Sequence, residues 1–275
     1  MALSLESGPA PAPDRLLFQW GGRYGLSLGT LGDDWLMASS FDGVFLISKS
    51  PASVRCIVGN PEELAWRDVL IRRVLPRVAM LHGATTMHGA ALASGQNGLV
   101  LLGQSGAGKS TLSAALGHAG WDILSDDISI LWPDDAPMLA PATTGVCVWA
   151  DSRTALDLPL DRCVPMPGYE GKVRYVSGHD RATAKVPLGA IVFLDRSERH
   201  AAPLLQPLSP AGGLSLAMHQ RIRFNPADAH GGETRRTFDQ LSAVLRAAPC
   251  WRLGYPKRYD ALPEVAAVLT DLLER

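Results

Sequence analysis

Apolar positions along the chain change rhythm twice. Over residues 15–60 they come in short bursts of strand length. Tyr24-Gly25-Leu26-Ser27-Leu28-Gly29 alternates, and Gly43-Val44-Phe45-Leu46-Ile47-Ser48 is an apolar run opened by the turn-like Phe41-Asp42-Gly43. Over residues 61–80 the period lengthens. Pro61-Glu62-Glu63 fits a first helical turn with its acids at the positive end of the dipole, and Leu64, Val69, Leu70, Ile71 and Val74 share one face. From residue 84 onward, strand-length runs and helical stretches alternate, which predicts an α/β domain. Strands are expected at 87–93 and 98–102, joined through the turn dipeptide Asn97-Gly98. A glycine-rich loop follows, then a helix over 109–119 stopped by Gly120. A strand over 121–124 ends at Ser125-Asp126-Asp127, and residues 128–132 continue extended. Residues 133–181, rich in Pro, Gly, Asp and Arg, read as loops with one helix near 151–156. A buried strand at 188–194, helices at 211–218 and 233–246, a late strand at 251–254 and a closing helix at 263–274 complete the pattern.

The opening stretch, with Gly8-Pro9-Ala10-Pro11-Ala12-Pro13-Asp14, reads as a flexible, partly polyproline tail over residues 1–14. The expected division is thus a tail (1–14), a small β-rich region with a helix (15–80) and the α/β domain (81–275). Composition adds exclusions. With 26 basic against 27 acidic residues and a net charge of −1, no overall basic field draws the chain to nucleic acid or an anionic membrane. Cys56, Cys147, Cys163 and Cys250 are scattered, with no CxxC pair, so neither a disulfide framework nor a zinc pattern is expected. No basic segment leads into an apolar one at the start, and no apolar run has the length of a membrane span. A reducing cytoplasm is the expected compartment.

Lysine is scarce, at Lys49, Lys109, Lys172, Lys185 and Lys257 only. One of the five stands in Gly103-Gln104-Ser105-Gly106-Ala107-Gly108-Lys109-Ser110, which fits the phosphate-loop pattern G-x-x-x-x-G-K-[ST]. Glycines let successive N–H groups turn toward one anion, and the following helix aims its positive end at it. The lysine ammonium reaches the outer phosphates, and the Ser110 hydroxyl is a ligand for Mg²⁺. Strand before and helix after are what that mechanism requires. Asp126 and Asp127 lie 17 and 18 residues beyond Lys109, at a strand end. One carboxylate there can hold Mg²⁺ and a second can take a proton from an attacking hydroxyl; an acidic turn capping the next element is the plainer alternative. Neighbours in a strand face opposite ways, so the two acids are expected to have different jobs. His88, one strand upstream, is a lone histidine, and such a residue is more often structural than catalytic.

Together, Met87-His88-Gly89-Ala90, the loop from Gly103 through Thr111, and Leu124-Ser125-Asp126-Asp127 resemble the catalytic domain of the HPr kinase/phosphorylase family. The resemblance is greatest to its short relatives, the HPr-kinase-like serine kinases associated with lasso peptides. It extends more loosely over residues 75–270, through Val148-Trp149-Ala150-Asp151-Ser152, the segment at 187–195, and Trp251-Arg252-Leu253-Gly254-Tyr255-Pro256. It implies an α/β fold with a P-loop core of the HPr kinase/PEP-carboxykinase type, a mixed sheet, and a small β-rich region ahead of it. It implies ATP and Mg²⁺, with Gly103, Gln104, Ser105, Gly106, Ala107, Gly108, Lys109, Ser110 and Thr111 on the phosphates and Ser110 and Asp126 on the metal. Asp127 would be the base toward the acceptor hydroxyl, with Asp126 in support and His88 beside the γ-phosphate. Asp151 matches an acidic metal position. The separate N-terminal domain of full-length HPr kinases has no counterpart here, and the segment tied to phosphorylase activity is not recognisable in 133–181. HPr as acceptor and the reverse reaction are therefore not carried over.

The expected reaction is transfer of the γ-phosphoryl group of ATP to a serine or threonine hydroxyl of a peptide or small protein, a lasso-type precursor among the candidates. The rival expectations are a kinase for a small hydroxyl-bearing metabolite, and a nucleotide-dependent switch or ATPase without an acceptor. The Gly/Arg-rich stretch 168–181 is the expected lid, with Arg153, Lys172 and Arg174 as cations toward phosphate or an acidic peptide. No nucleic acid or membrane partner is expected; the family resemblance extends an expectation of homo-oligomers.

Overall fold

The computed structural model describes the chain except residues 22–24, 40–42, 49, 51, 64, 144, 167–168, 179–183, 229–230 and 275. The chain forms two compact units, Met1–His82 with Arg223–Glu233, and Gly83–Ile222 with Thr234–Arg275. Tyr24, Phe41, Asp42 and Leu64, and the two ends of the expected lid at Gly168 and 179–181, lie outside the described residues.

The first unit is a six-stranded sheet of β1 (Ala2–Ser7), β2 (Arg15–Trp20), β3 (Leu26–Leu31), β4 (Asp34–Ser39), β5 (Gly43–Ser48) and β6 (Ser53–Val58), in the order β1-β6-β5-β4-β3-β2. β2 to β6 run antiparallel in succession, and β1 lies parallel to β6, Ala2 opposite Ser53 and Ser7 opposite Val58. The expected tail is therefore corrected over its first half. Proline-rich composition at 8–13 hid an alternating segment that an open sheet edge can pair, since the edge of β6 offers unpaired N–H and C=O groups. One face of the sheet buries Leu28, Met37, Phe45, Ile47, Val54, Cys56 and Val58 against Trp66, Val69, Leu70 and Val74. Those last residues belong to α1 (Ala65–Val69), a π-helical turn (Leu70–Val74) and α2 (Leu75–Leu81). Pro61-Glu62-Glu63 lies ahead of the helix rather than in its first turn, where the Asn60 side chain accepts from the Glu62 N–H at 3.1 Å. Pro76, which has no N–H and crowds the carbonyl a turn earlier, gives the π-turn a local cause.

Arg77 is buried beside Trp20 and donates to the carbonyls of Phe224 (3.1 Å), Arg223 (3.3 Å) and Arg73 (2.8 Å). Burial, then the nearby Arg73, push its pKa down to about 10. The guanidinium ties 223–224 to the rest of the first unit, so Arg77→Ala takes a donor from three carbonyls. We expect a loss of about 3 kcal/mol in urea unfolding; a change within 0.5 kcal/mol, the range typical of surface sites, would show that water replaces the guanidinium.

The second unit begins with β7 (Thr85–Ser94), β8 (Asn97–Leu102), α3 (Lys109–His118), β9 (Asp122–Ser125), β10 (Ile128–Trp132) and β11 (Met138–Ala140). It continues through β12 (Val146–Trp149), α4 (Ala150–Ala155), β13 (Cys163–Pro165), β14 (Lys172–Tyr175), β15 (Val186–Arg196) and β16 (Leu204–Pro207). α5 (Pro210–Gln220), α6 (Gly232–Ala247), β17 (Cys250–Tyr255) and α7 (Leu262–Glu274) complete it. Its main sheet is mixed, in the order β11-β10-β7-β8-β15-β17-β16, with β9 also on β7. β8, β15 and β17 are parallel neighbours at its centre, and β7 is antiparallel to β8.

The continuous apolar runs of β8 and β15 follow from burial on both faces. Leu99, Leu101, Ala190 and Val192 pack with Leu112 and Leu116 of α3 and Val265 and Leu269 of α7. Val100, Leu102, Ile191 and Phe193 pack with Ala217 of α5 and Leu241 and Val244 of α6. Among the described residues no helix is long and apolar enough to cross a membrane. Residues 133–181 are less irregular than expected, since β12, β14 and β13 make a separate three-stranded sheet. The lid reading is corrected there: residues 172–175 are the central strand of that sheet, held on both edges by backbone ladders.

Candidate functional site

The glycine loop connects the C-terminal end of β8 to α3. Gly108, the residue before the helix, has φ +89, and a Cβ on it would lie 2.6 Å from the Tyr255 hydroxyl. That hydroxyl donates to the Ala107 carbonyl at 3.0 Å, pinning the loop to the end of β17, and burial pushes its pKa up to about 12. Gly108→Ala therefore combines left-handed strain with a clash against a buried phenol. We expect it to destabilise the protein by about 1–3 kcal/mol in urea unfolding and to weaken ATP binding in a titration. Wild-type binding by this variant would refute a phosphate role for the loop.

The N–H groups of Lys109, Ser110 and Thr111, in the first turn of α3, have no carbonyl within the helix to donate to. The Lys109 ammonium folds over the loop, donating to the carbonyls of Gly103 (2.7 Å) and Gln104 (3.2 Å). Burial lowers its pKa; the carboxylates of Asp127 and then Asp126 oppose that shift. Both acids thus sit close enough to act on this cation.

The aspartates occupy a break in the sheet. β9 and β10 run along the same edge of β7, with Ser125 opposite Ala91 and Ile128 opposite His88. Asp126 and Asp127 fall in the gap between them. Asp127 turns the chain with φ +66, a conformation that Asp tolerates better than most residues. Its carbonyl accepts from the Gly89 N–H at 3.3 Å. Gly89 must be glycine, because a Cβ would stand 2.8 Å from the Leu101 carbonyl oxygen.

The two acids have opposite environments. Asp126 is 1% exposed. Its Oδ1 accepts from the Ser110 hydroxyl at 3.2 Å, its Oδ2 from the Cys147 N–H at 2.8 Å, and its own N–H donates to Thr143 Oγ1 at 2.8 Å. Asp127 is exposed, as is His88. The expectation that neighbouring acids face different ways agrees with these environments, although the cause is the left-handed turn and not strand alternation.

Ser110 and Asp126 together present a hydroxyl and a carboxylate. These hard oxygen donors suit Mg²⁺, which takes few protein ligands and fills its remaining positions with water and phosphate oxygens. Among the described residues no group of three or more His, Cys, Asp or Glu is placed to hold a metal ion. Asp151, which the resemblance puts at an acidic metal position, is held by other partners in this structure. Its carboxylate accepts from the Ser152 N–H (2.7 Å) and the Tyr259 hydroxyl (3.3 Å) instead.

Of the three candidate substrate cations, Lys172 lies over the rings of Trp149 and Tyr169, 5.5 and 5.2 Å from their centroids. Arg174 stands opposite Cys147 in the β12–β14 ladder, and Arg153 is on α4. The small sheet thus adjoins Asp126 through Cys147. The sequence reading gave Thr143, Cys147, Ser152, Tyr255 and Tyr259 no role in the site. Cys147 acts through its backbone and the others through side chains that no motif marks.

No protein-family model matches the chain, and no curated protein matches it. Among solved structures it is similar to the Hpr(Ser) kinase/phosphatase from Coxiella burnetii, at 14% identity over 68% of this chain and 94% of that one, with a TM-score of 0.36.

Proposed function

We propose that the protein is an ATP- and Mg²⁺-dependent phosphotransferase, built on a P-loop core of the HPr-kinase type, that phosphorylates a serine or threonine hydroxyl of a peptide or small protein. The observation that carries this reading is the division between adjacent acids. Asp126 is buried against the loop serine, whereas Asp127 is exposed beside the loop lysine. A nucleotide switch needs the first; an exposed second carboxylate has a use where an acceptor hydroxyl must be deprotonated.

In this reading the N–H groups of the loop and of the α3 first turn cradle the phosphates, and the Lys109 ammonium leaves its loop carbonyls for the β- and γ-phosphate oxygens. Ser110 and Asp126 would hold Mg²⁺, which when bound offsets charge on the phosphate oxygens. The acceptor oxygen forms its bond to the γ-phosphorus as the bond to the bridging oxygen breaks. Its proton passes to Asp127 and ADP departs. His88, opposite Ile128 at the edge of the break, would border the space where the moving phosphoryl group lies. Arg153 on α4, and Lys172 and Arg174 on the small sheet that adjoins Asp126, would serve the acceptor.

The test is incubation with γ-labelled ATP and Mg²⁺, with and without lasso-type precursor peptides and HPr-like proteins. Label on a peptide serine or threonine is the expected result. Release of free phosphate alone, with every acceptor offered, would favour an ATPase and remove the base role from Asp127.

A further inference from the structure

The β12-β14-β13 sheet divides its side chains by face. Val146, Val148, Cys163, Val173 and Tyr175 turn inward and pack with Leu112 and Leu116 of α3. The other face carries Cys147 and Trp149 of β12, Lys172 and Arg174 of β14, and Val164 of β13, with Trp149 opposite Lys172 and both Cys147 and Val164 opposite Arg174. Met166 reaches the same face, its sulfur 3.2 Å from Cys147 Sγ. Among the described residues ten large hydrophobic side chains stand exposed, and four of them, Trp149, Leu160, Val164 and Tyr169, belong to this sheet and its connections. Apolar side chains gathered in one exposed place mark an interaction surface, whereas the same residues scattered singly would not.

This outer face is also charged. The Lys172 ammonium lies over the rings of Trp149 and Tyr169, at 5.5 and 5.2 Å from their centroids. Ring faces hold a cation in place without cancelling its charge, and among the described residues no carboxylate pairs with it. The face adjoins the candidate site, because the Cys147 N–H donates to Asp126 Oδ2 at 2.8 Å. Trp149 and Lys172 stand one side-chain repeat farther along the strands, about 7 Å away.

We propose that this outer face docks the acceptor peptide, with an acidic side chain of an extended segment on Lys172 and aromatic or aliphatic side chains against Trp149 and Val164. The assignment rests on the phosphotransferase reading above and gives it a substrate class: a hydroxyl residue flanked by acidic and apolar neighbours. Charge complementarity selects the anion, since an ordered ammonium awaits one. The spread of the apolar positions selects a peptide. Trp149 and Val164 lie on the two edge strands, at least about 10 Å apart across β14. A free phosphate or a small acid would engage the cation and leave them uncovered, whereas an extended chain reaches both.

The test offers short synthetic peptides, each with one central serine and with Asp, Lys, Phe or Ala placed in turn at every flanking position, together with γ-labelled ATP and Mg²⁺. Wild type is expected to prefer Asp over Lys at one flanking position by roughly fivefold, the upper end of what an exposed ion pair supplies. It is expected to prefer Phe over Ala at another by about tenfold, the scale of an aromatic anchor. Lys172→Glu should invert the first preference, to Lys over Asp, and Trp149→Ala should abolish the second. Each preference is a ratio within one sample, so partial loss of folded protein does not alter it. If Lys172→Glu labels no peptide, Lys172→Gln replaces it, and the Asp preference should then disappear. Labelling by wild type without an Asp preference, or a wild-type preference kept in the Lys172 variant, would overturn the docking surface and leave the phosphotransferase reading standing. Labelling of no peptide by wild type would remove the peptide acceptor itself, and the docking surface with it.

Discussion

Asp127→Asn is expected to lower phosphoryl transfer by roughly a hundred- to ten-thousandfold, the range of general-base contributions, while ATP binding stays near wild type. Asparagine suits this position as a probe. It keeps the size of the side chain and accepts the left-handed backbone at φ +66, so the break between β9 and β10 survives. Only the proton acceptor is lost. Asp127→Ala removes the same acceptor but adds about 1 kcal/mol of backbone strain, so it should be equally inactive and measurably less stable. Single-turnover assays with labelled ATP, beside urea unfolding of both variants, separate the two effects. Full-rate transfer by the asparagine variant would show that another group, or water, takes the proton.

Lys109→Ala is expected to cost about a thousandfold in transfer, the scale on which a positioned group that stabilises developing charge acts, and to weaken ATP binding as well. The ammonium already lies against the Gly103 and Gln104 carbonyls. It therefore needs only to exchange those partners for phosphate oxygens. The combined loss of binding and rate distinguishes it from Asp127→Asn, in which only the rate falls. Lys109→Arg should not restore activity, because a planar fork cannot replace a compact ammonium in a loop packed against Tyr255. Nucleotide titration and initial rates on the same samples decide this, and an alanine variant with wild-type ATP affinity would count against the phosphate-loop assignment.

Much of the site was legible because its chemistry is local. The loop from Gly103 to Ser110 is marked by backbone freedom and by a helix start, both written in consecutive residues. The central strands were equally plain, since β8 is apolar from Leu99 to Leu102 and β15 from Ala190 to Leu194, and such runs end where glycine or charge begins. The hydroxyl of Ser110 and the carboxylate of Asp126 could be paired as metal ligands only through a resemblance, because 16 residues separate them and no spacing rule brings them to 3.2 Å. The contribution of Cys147 was invisible, since a backbone N–H carries no residue signature. Residues 133–181 misled for a related reason. Their proline and glycine content describes how the chain turns, whereas the β12-β14-β13 sheet arises from pairing between segments, and β12 and β14 lie more than twenty residues apart. The same holds for β1, whose strand character depends on an edge supplied by residues 53–58.

The sequence by itself determined the glycine-rich loop, the helix behind it, the burial of the central strands and the presence of two acids at a strand end. Each follows from short-range backbone and side-chain chemistry. Only the tertiary structure decided which acid is buried and which exposed, and that the first is gripped by Ser110 and Cys147. Those outcomes depend on which strand lies beside which, a choice made by packing and hydrogen bonding between segments distant in the chain.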